Sequence, residues 1–253
     1  VDRDIVHWGA LHGIVEMIEG GVTTFADMYY FEEEVARAAR LAGMRGVLGQ
    51  TIVNFPAPDA PEPYGGIARA RRFIADHRGD PLITPAFAPH APYTVEPDRL
   101  REIARLAEEL DVPVLMHVAE MTDEIANLRR DHNRTPVQHL ESVGLLNRRL
   151  VAAHCIFVDD ADIELLRASG AGVGACVAQP HRLPGPDRVA DLRRGHACGQ
   201  LGAGLVGEEV GFGCGLQRGL AGWGEGVLAD AGRHRRRGGP AVCPDLPRPQ
   251  RGW

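Results

Sequence analysis

His90, His117 and His154 each close a run of strand-forming residues, and Glu120 follows three positions behind His117. The runs are Leu82-Ile83-Thr84-Pro85-Ala86-Phe87-Ala88-Pro89-His90, Val112-Pro113-Val114-Leu115-Met116-His117 and Leu150-Val151-Ala152-Ala153-His154. Histidine is a common metal ligand and a proton carrier near neutral pH, and a carboxyl beside it can act as general acid or base. The chemistry such a set could perform is metal-assisted hydrolysis. Residues three apart on a strand point to opposite faces, so His117 and Glu120 share a pocket only if the strand ends at His117. Prolines on both sides of His90 fix a rigid turn, which suits ligand recognition. Plainer roles exist for each: a strand-end histidine before a helix-start glutamate, a buried His154 bonded to a carbonyl, and a loop His90. Asp27 closes a strand in the same way and fits a structural role. Cys155 reads as packing.

These residues need elements to hold them. Gly21 to Asp27 and Gly46 to Val53 are β-branched runs suited to buried parallel strands. Helices are predicted over about 7–19, 31–43, 65–78, 98–110, 122–131, 135–143 and 159–169. Leu100, Ile103, Ala104, Ala107 and Leu110 form one helical stripe, with Pro97 in the first turn. Thr135-Pro136-Val137-Gln138 carries a capping-box signature. Asn54 to Gly66 is a Pro-rich loop, and Arg69, Arg71 and Arg72 read as a solvated helix face. His7, His12, His77, His132 and His139 fall on helices or their ends as solvated or packing residues. Strands alternating with helices mean a parallel sheet with helical crossovers, and in a βα barrel every strand's C-terminal end faces one mouth.

The 253 residues carry a net charge of −6, which gives no reason to expect a nucleic-acid partner. No apolar run approaches the ~18 residues of a membrane span, and no signal peptide opens the chain. Five cysteines without a C-x-x-C pair argue against a disulfide framework and fit a reducing cytoplasm. There is no lysine, so all 28 basic residues are arginine. The chain divides into 1–174, with clear periodicity, and 175–253, a Gly/Arg/Pro-rich segment holding 17 of the 31 glycines and no Ser, Thr, Asn, Ile, Met or Tyr. The expectation is that 175–253 is low-complexity and disordered, with the coding frame lost near Gly174. His181, His196 and His234 there are given no role.

Gly20 to Met28, Ala88-Pro89-His90-Ala91-Pro92-Tyr93-Thr94, His117-Val118-Ala119-Glu120-Met121 and Ala152-Ala153-His154-Cys155 together resemble the amidohydrolase superfamily. Within it they are most similar to the 5-methylthioadenosine/S-adenosylhomocysteine deaminases and related chlorohydrolases. The resemblance implies a (β/α)₈ TIM barrel, here incomplete, covering about strands 2 to 7. It implies one divalent metal, zinc or else iron, with His117 as its ligand. Glu120 would be catalytic and substrate-binding, passing a proton to the purine ring. His154 would be catalytic, orienting the metal-bound hydroxide, and His90 would contact the nucleoside. The reaction implied is hydrolytic deamination of an adenosine-type nucleoside. The alternatives are a triazine- or guanine-type aminohydrolase, a chlorohydrolase, or an inactive fragment of such an enzyme. The expected partner is a small purine nucleoside, with no nucleic acid or membrane and with a homo-oligomer left open. The resemblance also places a His-x-His pair upstream of Val1 and an aspartate in a Gly-Thr-Asp-Gly motif. Neither motif occurs here, so metal binding rests on His117, and one histidine holds zinc weakly.

Overall fold

The computed structural model describes residues 1–174. Six runs become strands: β1 (Thr24–Tyr29), β2 (Arg45–Ile52), β3 (Ile83–Pro89), β4 (Val114–Val118), β5 (Leu150–His154) and β6 (Gly172–Gly174). They form one parallel sheet in the order β1-β2-β3-β4-β5-β6, so each strand lies beside its sequence neighbours. Parallel neighbours need crossovers. The helices are α1 (Arg3–Glu19), α2 (Glu32–Ala42), α3 (Gly65–Asp76), α4 (Pro97–Leu110), α5 (Thr122–His132), α6 (Pro136–Ser142) and α7 (Asp160–Ser169).

The sheet curls. Ala26, Val47, Ala86, Ala88, Leu115, Val151 and Ala153, from five different strands, form one buried cluster on its inner side. Leu48, Phe87, Met116, Val118 and Ala152, which alternate with them, face the helical layer. This is the parallel sheet that the alternating pattern predicts, curled into the incomplete (β/α)₈ barrel that the resemblance implies, with packed side chains inside and helices outside. Among the described residues, β1 and β6 are each paired on one side only.

Local chemistry explains the element boundaries. α4 starts on Pro97 and buries Leu100, Ile103, Leu106 and Ala107; each large aliphatic contributes roughly 1.5–3 kcal/mol on leaving water. Thr135 and Gln138 cap α6 reciprocally, and Asp159 and Asp162 do the same for α7. α1 begins at Arg3 rather than near residue 7, because the Asp2 side chain accepts from the Ile5 N–H and caps the helix there. α3 packs closely on β2: a Cβ on Gly66 would lie 2.3 Å from the Thr51 carbonyl oxygen. Arg69 departs from the solvated-face expectation. It pairs with Glu33 at 2.9 Å and with the buried Asp59 at 3.2 Å, because the loop before α3 folds Asp59 under the helix. Asp59 also accepts from the Phe31 N–H at 2.8 Å and from Gln50 Nε2 at 2.9 Å. No helix among the described residues is long and apolar enough to cross a membrane. The segment 175–253, with its expected disorder, lost frame and three histidines, lies outside the described residues.

Candidate active site

Strand parity decides which side chains enter the barrel. On β4, His117 shares the inner face with Leu115, and on β3 the same alternation from Ala86 and Ala88 leads to His90 just past the strand. Their rings meet with centroids 5.0 Å apart, and the His117 N–H donates to the His90 carbonyl at 3.0 Å. His154 is different. It pairs in register with Val118 and follows Ala152 by two, which is outer-face parity. A left-handed φ of 73° at His154 swings its side chain inward, and its Nε2 then lies 3.1 Å from His117 Nδ1. A left-handed non-glycine residue costs about 1–2 kcal/mol. Such strain concentrates at functional sites.

Glu120 arrives by a second turn of the same kind. β4 runs to Val118, one residue beyond the end that the spacing predicts for a shared pocket. The extra residue is absorbed by Ala119 at φ 52°, which turns the chain so that Glu120 Oε2 comes 3.6 Å from His154 Nε2. The two turns are tied together. The Ala119 carbonyl accepts from the Ile156 and Phe157 N–H groups at 3.0 and 2.9 Å, and the Cys155 N–H donates to the Val118 carbonyl. Glu124, on the first turn of α5, accepts from the Ala119 N–H at 3.0 Å and the Glu120 N–H at 2.9 Å. Thr94 anchors His90: its hydroxyl donates to the Ala91 carbonyl at 3.2 Å and lies 3.1 Å from His90 Nδ1 in a hydrogen bond.

The site is dry. His117, Glu120 and His154 expose 6, 7 and 2% of their surface. Burial, with His90 and His154 alongside, pushes the His117 imidazole well below its usual range. It is therefore neutral at pH 7, the form that binds metals. Burial pushes the Cys155 thiol up, with Glu124 and Asp162 adding to the effect, so it is no nucleophile. Asp27 stands apart from the site: burial raises it to about 6, and strand parity with Phe25 sends it to the outer side.

One nitrogen each from His117 and His154 and one Glu120 oxygen lie within 4.8 Å of one another. Two imidazoles and a carboxylate are donors that zinc accepts at ~2.0–2.2 Å. Nitrogens 3.1 Å apart can be bridged by one such ion. The donor set thus fits a divalent metal, and it is larger than His117 alone. The four residues singled out from the sequence, His90, His117, Glu120 and His154, are brought together at one mouth. Glu124 and Thr94 escaped that reading, although an acid in the first turn of a helix directly after Glu120 was a usable signal for the former.

Comparison with known proteins agrees with this architecture. The model of the amidohydrolase family matches residues 1–200. The chain is 45% identical over 170 residues to the 5-methylthioadenosine/S-adenosylhomocysteine deaminase 1 of Syntrophus aciditrophicus, covering 67% of this chain and 38% of that protein. It superposes on the zinc-bound adenosine deaminase of Xanthomonas campestris with a TM-score of 0.73 and 33% identity, over 77% of this chain and 45% of that one. A triazine hydrolase from Arthrobacter aurescens shares the fold at a TM-score of 0.67 and 19% identity, over 76 and 47% of the two chains. The chain spans less than half the length of these relatives. With a family match over most of its residues and a parallel βα barrel carrying the motif residues at one mouth, the chain belongs to the amidohydrolase family.

Proposed function

We propose that this chain carries the catalytic core of a metal-dependent deaminase acting on an adenosine-type nucleoside, 5-methylthioadenosine or S-adenosylhomocysteine. The observation that carries this reading is the convergence of one carboxyl and three imidazoles, with His154 Nε2 between His117 Nδ1 at 3.1 Å and Glu120 Oε2 at 3.6 Å. His117 would hold the ion, with His154 and Glu120 in the same donor group, and zinc is the metal we favour. When bound, a divalent metal supplies Lewis acidity that brings the pKa of water to roughly 7.

The chain's own residues do the rest. Glu120 carries a proton to a purine ring nitrogen as water adds to the amine-bearing carbon. The carbon–nitrogen bond then breaks and ammonia leaves with that oxygen's proton. His154 orients the attacking water, and His90 contacts the nucleoside. A buried site strengthens each of these polar contacts. Residues 1–174 would form this working core, distinct from 175–253. The cysteine usage supports a reducing cytoplasm as its setting.

The test is ammonia release by the complete gene product, loaded with zinc, from 5-methylthioadenosine, S-adenosylhomocysteine, guanine and an aminotriazine. Turnover of the two adenosine-type nucleosides is expected. Release from guanine or the triazine alone would replace the substrate assignment, and release from none would overturn the deaminase reading.

A further inference from the structure

We infer that Glu124 is a positioning residue whose carboxylate fixes the turn that aims Glu120 into the site. The inference rests on the reading of Glu120 as proton carrier. Glu124 is buried, 2% exposed, and touches none of His90, His117 or His154 by hydrogen bond. Its carboxylate faces a run of backbone amides: Oε1 accepts from the Ala119 N–H at 3.0 Å and Oε2 from the Glu120 N–H at 2.9 Å, with the Met121 N–H alongside. Ala119 lies between these contacts at φ 52°, where a residue with a Cβ is strained. The Ile156 and Phe157 N–H groups hold the Ala119 carbonyl from the opposite side. Those bonds tether the turn to the segment after β5 but leave the direction of Glu120 open, which the Glu120 N–H bond sets.

The group must be a carboxylate. It accepts at both oxygens and donates nothing. A glutamine in its place has one acceptor oxygen, and its NH₂ would confront the second amide N–H. Glu124→Gln therefore releases one of the two amides at almost unchanged volume. Ala119→Gly removes the steric objection to the left-handed turn and should make the clamp less necessary.

Two readouts separate this role from the function proposed above. The first is amide hydrogen exchange of the complete gene product: in Glu124→Gln the Ala119 and Glu120 amides should exchange at least tenfold faster, with the β4 amides unchanged. The second is turnover: kcat should fall at least tenfold with KM within twofold. Adding Ala119→Gly should recover threefold or more of the lost kcat. Unchanged exchange at these amides, kcat within twofold of the parent, or no recovery by Ala119→Gly would each overturn the inference. Glu124→Asp, too short to reach both amides, replaces the glutamine variant if that one does not fold. If the parent protein deaminates nothing, the proposed function falls while the exchange experiment still decides the clamp.

Discussion

His154 reaches the barrel interior only through its left-handed backbone, and there its Nε2 stops 3.1 Å from Nδ1 of His117. A hydrogen bond joins the two rings in this structure, and a shared ion between the same nitrogens is the natural alternative. The strained turn is maintained by the Cys155 N–H bond to Val118 and by the paired bonds to the Ala119 carbonyl.

If that pair holds an ion, His117→Ala should abolish tight zinc binding. Even the loss of a group that merely supports a ligand costs ~10–100-fold in affinity, so removing the ligand should cost more than ~100-fold. Competition against a chromophoric chelator measures this. His132→Ala, which alters a histidine outside the donor group, should leave the affinity within twofold.

A histidine with no part in the chemistry governs acid stability. His139 is buried and both its ring nitrogens lack a hydrogen-bond partner. Burial, then the nearby His132, Arg134 and Arg101, pushes it down to about 4 from an ordinary 6.5. The unfolded chain then binds the proton more readily than the folded one, so stability present above pH 6.5 drains away as pH falls toward 4. The loss is at most roughly 3 kcal/mol. His139→Phe should flatten the thermal-melt profile across that window and leave it unchanged above it.

The seat of α3 on β2 tolerates no side chain. Gly66→Ala would put a methyl 2.3 Å from a backbone oxygen that cannot swing away. Overpacking of this kind costs about 1–3 kcal/mol, and here the clash is with main chain, so the upper end is expected in denaturant unfolding. Gly79→Ala meets no atom within 4 Å, and its cost is confined to its left-handed φ of 79°.

How much of this was written in the sequence depends on whether the signal is local. The β-branched runs, the α4 stripe and the Thr135 capping box appear where their residues predict, because each is decided within a turn or two of chain. The start of α1 was placed late because its apolar residues cover two sides: Val6, Ala10 and Ile14 are buried while Ile5, Trp8 and Val15 are exposed. A stripe with no polar side sets no clear period. The types of His90, His117, Glu120 and His154 were legible, but their convergence was not. Ideal strand alternation would turn His154 outward, and ideal spacing required β4 to stop at His117. Positive φ at Ala119 and His154 corrects both, and no propensity announces it for alanine. Arg69 was misread for a related reason: Asp59, its buried partner, comes from a loop ten residues earlier.

A crystal structure of the zinc-loaded protein with an adenosine-type nucleoside tests the central claim most directly. The account predicts zinc at ~2.0–2.1 Å from a His117 nitrogen, a Glu120 oxygen in hydrogen-bond reach of a purine ring nitrogen, and His90 on the nucleoside. Zinc seated away from His117, or a nucleoside bound with Glu120 turned from its ring, would contradict it.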